Sequence, residues 1–426
     1  MNKSKANIDQ QLEFELSNAF RRDSSKILAV LIKLYGPTHM MWAEDTLQET
    51  FNKAMLHWRE NGLPNNPAAW LMLTAKRSAL DKLRNIKLRR QLQDSLPPEF
   101  TTEWTLKNAV EHCFEEAVFA DEELRLLFWV AATDLPIQSK LPLMLKLLCG
   151  LSTEAIGRAL FEKTETIKKR LQRGRSHLAS KNFELPDRNH LSKALESVHI
   201  ALYLLFNEGI NPRNPDPESH IDLCNEAIGL TRLLVDTEKL RNAESIALFS
   251  LMHYHCCRLP ARSTVEFLNV PLDEQNRDKW DSRFLIKATH HLDMALNAES
   301  DSPRRFLLEA LIAHEHCRAR SFEQTDWPTI SQHYAALFDI TGSPMVAFSG
   351  AVASAHAGKI AAAIKRVELF AKDPKVKAMY QYSATLAYLY GLDKQQGQAR
   401  KHYERSITKG LSENEAKLLS SRFSVI

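Results

Sequence analysis

Two short runs in the second half of the chain collect the side chains that most readily bind metal: HYHCC, from His253 to Cys257, and HEHC, from His314 to Cys317. On a helix His253 and Cys256 share a face, as do His314 and Cys317, and two such pairs would make a four-ligand zinc site. The pairs lie far apart, no carboxylate pattern supports them, and such residues often fill helix interfaces, so packing is expected, with no metal and no cofactor. The sequence also lacks a Walker A loop, a GxGxxG turn, HExxH and GxSxG. The chain is not expected to be an enzyme. The remaining chemistry is electrostatic: Lys76, Arg77, Lys82, Arg84, Lys87, Arg89 and Arg90 have Asp81 as the only acid among them, and a second basic cluster covers Lys163 to Arg175. Lys and Arg grouped on helix faces neutralise nucleic-acid phosphates.

The second cluster sits in LSTEAIGRALFEKTETIKKRLQRGRSHL, Leu151 to Leu178, which reads as two short helices joined by a tight turn. Ser152 is placed to N-cap the first, and Glu154 adds negative charge to its first turn. Ala155, Ile156, Ala159 and Leu160 form its buried stripe, and the helix is expected to run through Leu160. The second helix starts near Lys163 or Thr164. Ile167, Leu171 and Leu178 face inward, leaving Thr166, Lys169, Arg170 and Arg173 on an outer cationic face. A helix-turn-helix presents its second helix to base edges while flanking cations meet phosphates. A helical hairpin with a solvated charged face has the same pattern, and Phe161 occupies a turn position where glycine is often found.

Upstream, residues 9 to 35 form one or two helices, stopped by Gly36 and Pro37. In MWAEDTLQETFNKAMLHW, Ala43, Leu47, Phe51, Met55 and Leu56 are expected on the buried side, with Asp45, Gln48, Glu49 and Lys53 opposite. That polar face is either solvated or a docking surface. The loop RENGLPNNP then leads to a helix opened by Pro67, which is pre-organised for the first helical turn. This helix carries Trp70 near its start and the first basic cluster further along. Aromatic rings stack on unpaired bases while cations hold the backbone, although Trp70 also suits a core.

AEDTLQETFNKA resembles region 2 of bacterial RNA polymerase sigma factors of the extracytoplasmic-function (ECF) class, at the segment that docks on the polymerase. NPAAWLMLTAKRSALDKLR resembles the adjoining promoter-melting, minus-ten-reading segment, and LSTEAIGRALFEKTETIKKRLQRGRSHL resembles region 4, which reads the minus-35 element. The resemblance implies core RNA polymerase and promoter DNA as partners. It places Asp45, Gln48 and Glu49 in polymerase docking, and Asn65, Asn66, Trp70, Lys76, Arg77, Lys82 and Arg84 in minus-ten recognition. Thr166, Lys169, Arg170 and Arg173 fall in minus-35 recognition. The implied domains are region 2 at 1–92, an acidic linker at 93–118, region 4 at 119–182 and an extension at 183–426.

LYLLFNEGI (Leu202 to Ile210), LCNEAIGLTRLLV (Leu223 to Val235), LDEQNRDKWD (Leu272 to Asp281) and TDWPTISQHYAALF (Thr325 to Phe338) resemble the ECF subgroup with a long helical C-terminal extension. VAATDL (Val130 to Leu135) departs from that subgroup's Cys-Cys-His-Pro run. Within the extension, Ala351 and Ala363 recur as Ala387 and Ala399, near the roughly 34-residue period of tetratricopeptide (TPR) units. A TPR-like array with a protein or peptide ligand and a regulatory role is expected. The competing class is a one-component helix-turn-helix regulator with a helical sensor, which would not need the first ninety or so residues.

Of the 426 residues 44% are hydrophobic and 25% charged, glycine is sparse, and helical periodicity dominates, so the expected fold class is all-α. The net charge of +4 says less than its distribution. Six scattered cysteines, a polar N-terminus and the lack of a bilayer-length apolar run give the expectation of a cytoplasmic protein with no membrane partner.

Overall fold

The computed structural model of the chain describes residues 2–88, 119–181, 188–210, 217–262, 270–298, 304–411 and 413–424. The acidic linker at 93–118 lies outside them. The described residues form helices and turns with no strand, an all-α fold. They divide into two compact units, Met1–Leu233 and Leu234–Ile426.

The first unit opens with α1 (Asn2–Tyr35), a single helix where the sequence allowed one or two. Gly36, at φ 79°, ends it, and Pro37–His39 forms a short 3-10 turn. Helix α2 (Met40–Asn61) packs on α1 and α3 (Pro67–Leu88). The Tyr35 hydroxyl lies 3.1 Å from that of Thr46, and burial pushes the Tyr35 phenol well above its usual range. The inward stripe of α2 runs Ala43, Leu47, Phe51, Ala54, Trp58. Met55 and Leu56, expected inside, are instead 47% and 61% exposed. Because Ala54 and Trp58 continue the i, i+3, i+4 series from Phe51, the two residues between them rotate outward.

After α4 (Phe119–Ala132) and α5 (Ile137–Cys149), Gly150 takes a left-handed C-cap conformation, and the chain enters α6 (Thr153–Ala159) and α7 (Thr164–Ala179). The Ser152 hydroxyl accepts from the Ala155 amide at 3.1 Å, the cap expected from sequence, and α6 stops one residue short of Leu160. Two helices from the stretch read as extension, α8 (Arg188–Ile210) and α9 (Pro217–Asp236), fall with this first unit up to Leu233. Leu202, Leu205, Phe206 and Ile210 are buried as α8 packs on α4, α5 and α6. The Arg158 guanidinium of α6 meets Glu208 of α8 at 3.1 Å.

The second unit is built around α10 (Ala243–Arg262), an apolar helix buried on nearly every side and flanked by α11 (Ser282–Asn297) and α12 (Arg305–Arg318). Glu244 reaches across to the N-terminus of α12, where its carboxylate accepts from the Phe306 and Leu307 amides at 2.9 and 3.2 Å. The Asn276 and Asp281 side chains accept from the Asp278 and Arg283 amides, and Arg277 donates to the carbonyls of His316 and Ala319 at 2.7 Å each. The motif LDEQNRDKWD is therefore a clasp that fixes the end of α12 and starts α11. Further on, α13 (Trp327–Thr341), α14 (Pro344–His356), α15 (Ile360–Glu368), α16 (Pro374–Ala378), α17 (Tyr380–Leu392), α18 (Gln396–Thr408) and α19 (Glu413–Ser424) complete the unit. Ala351, Ala363, Ala387 and Ala399 are all buried, in helices that pack as the pairs α14–α15 and α17–α18.

Candidate nucleic-acid interface

Helices α2 and α3 hold the first set of functional candidates. Asp45, Gln48 and Glu49 are exposed on α2, one turn apart. Asp45 meets Lys82 of α3 at 3.5 Å, and Glu49 meets Lys53 at 2.7 Å. Lys82 also donates to the Trp42 carbonyl at 3.3 Å. An expected docking residue and an expected DNA contact thus meet at one edge of the α2–α3 pair. These exposed pairs add little stability, so the acids remain open to exchange partners.

The loop before α3 places Asn65 and Asn66 in solvent, and Asn66 also serves as the helix cap, accepting from the Ala69 amide at 3.0 Å. Trp70 is half-buried, its ring stacked 5.2 Å from His57 and edge-on to the buried Trp58 at 5.6 Å. Trp58 is buried and fills the core position, whereas Trp70 remains partly exposed. His57 was not singled out from sequence, and only its i, i+1 adjacency to Trp58 hinted at the arrangement. Lys76 and Arg84 are half-buried and Arg77 is exposed, with Arg84 3.7 Å from Asp81.

The second set lies on α7. Lys169 and Arg173 are exposed, Thr166 is half-exposed, and Ile167, Leu171, Gly174 and Leu178 face inward. Gly174 permits the close approach of α5: a Cβ there would lie 2.9 Å from Leu143 Cγ. Arg170 differs from its neighbours. Its guanidinium donates to the Gln138 carbonyl at 3.2 Å and to Glu162 at 3.0 Å, which ties α7 to α5 and to the preceding turn. Phe161, in that turn, takes φ 54° with its ring 67% exposed. The Glu162 amide closes the turn on the Gly157 carbonyl at 2.8 Å.

The flank of α7 carrying Lys168, Gln172, Arg175 and Ser176 faces Thr38, Met41 and Glu44 across a cavity of about 530 Å³. Arg175 meets Glu44 at 2.7 Å. Lys146, also at this cavity, has its pKa lowered by burial first and by Arg175 second.

The HYHCC and HEHC runs meet through Tyr254 and His314. Among the described residues no group of three or more His, Cys, Asp or Glu side chains is placed to share an ion. His253 turns its Nδ1 to the Phe249 carbonyl at 2.7 Å, and His314 turns its own to the Tyr254 hydroxyl at 2.8 Å. Among the described residues no helix is long and apolar enough to cross a membrane.

Residues 19–89, which carry the second half of α1 with α2 and α3, match sigma-70 region 2. Residues 194–296 match a family of unknown function, DUF6596. The uncharacterized protein R00370 of Rhizobium meliloti (strain 1021) is 31% identical over 381 residues, spanning 88% of this chain and 87% of that protein. No solved structure matches the chain. The chain therefore belongs to the family of this relative, and it carries the sigma-70 region 2 domain by which sigma factors engage core RNA polymerase in transcription initiation.

Proposed function

We propose that the protein is a sigma factor of the ECF class, in which α2 docks on core RNA polymerase, the 61–67 loop and α3 engage the opened minus-ten strand, and α6–α7 read the minus-35 duplex. The observation that carries this reading is the sigma-70 region 2 match over residues 19–89, followed in the same compact unit by the Ser152-capped α6 and by α7 with its exposed cations. The chemistry divides between the helices. Exposed acids on α2 suit a basic protein surface. The partly exposed Trp70, on the helix that also carries Lys76, Arg77, Lys82 and Arg84, suits an unpaired base, where stacking contributes about 1–3 kcal/mol. Lys169 and Arg173 suit duplex phosphates. The polymerase supplies the catalysis.

The paired helices from α14 to α18, with small residues at their contacts, support a TPR-like array, an architecture that exposes a concave surface to peptides. We assign this array a regulatory role and the protein a cytoplasmic location. Run-off transcription with core polymerase and promoter DNA tests the central claim. Promoter-dependent transcripts that vanish on charge reversal of Asp45 and Glu49 are expected. Duplex binding without transcript initiation would instead favour a one-component regulator.

A further inference from the structure

Charge is spread unevenly along the chain. Residues 360–426, from the start of α15, hold twelve Lys and Arg against six Asp and Glu, a net charge of +6, whereas the whole chain carries +4 and everything before α15 therefore sums to −2. A cationic surplus alone can serve solubility. What separates a binding face from a solvated one here is where the acids are spent. The Glu368 carboxylate accepts from the Tyr390 hydroxyl at 2.7 Å, Asp373 caps α16 by accepting from the Lys375 and Val376 amides at 2.8 and 3.4 Å, and Asp393 accepts from the Gln395 side-chain amide at 2.6 Å. Of the four acids from Glu368 to Glu404 only the last is ion-paired, to Arg400 one turn away at 3.2 Å. Lys365, Lys372, Lys375, Lys377, Lys401 and Arg405 are exposed, with no ion pair at contact distance among the described residues.

Some of these cations are gathered on one face. Lys401, Arg405 and Lys409 recur every four residues along α18 and its C-cap, so they line one side of that helix. The Lys409 ammonium donates to the Lys377 carbonyl and to the Ser383 hydroxyl at 2.9 Å, which brings the end of α18 against α16. Like charges one turn apart disfavour a helix. Burial lowers the Lys409 pKa first, and Arg405 and Lys377 lower it further, so the crowding is among cations with no carboxylate between them.

We propose that the cationic face of α16 and α18 is a third DNA contact, which grips the phosphates of duplex DNA without reading sequence. Duplex DNA presents a negative charge about every 1.7 Å of its axis, a continuous polyanion. Cations distributed over two helices suit such a partner, and lysines, as mobile point charges, hold phosphates without the planar bidentate geometry that base reading uses. The inference rests on the reading that places this chain on promoter DNA. With α7 on the duplex, the array is tethered to the same molecule, and individually weak contacts add to the affinity.

The test measures binding of the full chain to a fluorescent random-sequence duplex by anisotropy across sodium chloride concentrations. Lys377→Gln, Lys401→Gln and Arg405→Gln together should flatten the slope of log affinity against log salt by about 2.7 units and weaken low-salt binding roughly tenfold or more. A matched triple, Lys239→Gln, Lys279→Gln and Lys287→Gln, removes the same charge from exposed positions of the same unit and should leave the slope unchanged. Equal flattening by both triples would overturn the proposal, because net charge and not a face would be acting. A wild-type slope in the first triple would overturn it as well, and loss of binding to a labelled poly-glutamate peptide in that variant would then put an acidic protein on this face. If the first triple fails to unfold cooperatively on heating, Lys401→Gln alone takes its place, with an expected flattening of about 0.9 units. Absence of wild-type binding at the lowest salt would overturn this contact alone, since run-off transcription with core polymerase tests the sigma-factor reading separately.

Discussion

The cations of α7 look alike in sequence but should separate in a salt titration. Lys169 and Arg173 are exposed, with no ion pair at contact distance among the described residues, whereas Arg170 is bonded to Gln138 and Glu162. Each phosphate neutralised on duplex DNA contributes about 0.9 to the slope of log affinity against log salt. Replacing Lys169 and Arg173 together with alanine should therefore flatten the slope by about 1.8 units. Replacing Arg170 removes a carbonyl hydrogen bond and a partly screened ion pair, together about 1–2 kcal/mol of stability. For a unit of this size that is a Tm loss of about 2–4 °C per kcal/mol, with little change of slope. Fluorescence anisotropy of the full chain on promoter duplex across salt, beside thermal unfolding, reads both quantities. Equal flattening by Arg170→Ala and Arg173→Ala, with equal Tm values, would refute the assignment of Arg170 to bracing the turn.

Three further outcomes follow from the packing. Gly174→Ala inserts a methyl group against Leu143; overpacking of about 1–3 kcal/mol, less about 0.5–1 regained in helix propensity, should leave a net loss measurable by urea unfolding. Burial first, and Glu226 second, raise the Glu123 pKa well above the usual carboxylate range. Between the ordinary value of about 4.3 and that raised value the folded state binds more protons than the unfolded, so stability falls as pH rises. Glu123→Gln should raise Tm near neutral pH, with the gain over wild type shrinking on acidification. Trp70→Ala should weaken promoter opening, read by permanganate reactivity, while thermal stability changes little; normal opening with a large Tm loss would mark Trp70 as core.

Local features were legible in the sequence because their causes are local. The Ser152 cap, the Pro67 helix start, the Gly36–Pro37 stop and the inward stripe of Ile167, Leu171 and Leu178 each depend on residues within a turn or two. What escaped notice depends on other helices. Nothing near Arg170 in sequence says that the Gln138 carbonyl lies within its reach. Helical spacing pairs His314 with Cys317, whereas the packing of α10 on α12 sets His314 against the Tyr254 hydroxyl. Glu123, Lys26 and Glu226 come from α4, α1 and α9, and only the fold makes them neighbours: Lys26 lies 3.7 Å from Glu226, and the two carboxyl groups are hydrogen-bonded.

That three-helix meeting point bears on how the gene should be cut. A stop codon after residue 182 looks like a clean excision of the extension, but it would strip α8 from α4, α5 and α6, baring the partners of Leu202, Leu205 and Phe206 and leaving Arg158 without Glu208. Glu123 would also lose the neighbouring Glu226 carboxyl group, which with burial raises its pKa. A dead product would then report a damaged core and say nothing about control. The informative deletion ends beyond α9, and domain exchanges with shorter sigma factors need to carry residues 188–236 along with the DNA-reading helices they support.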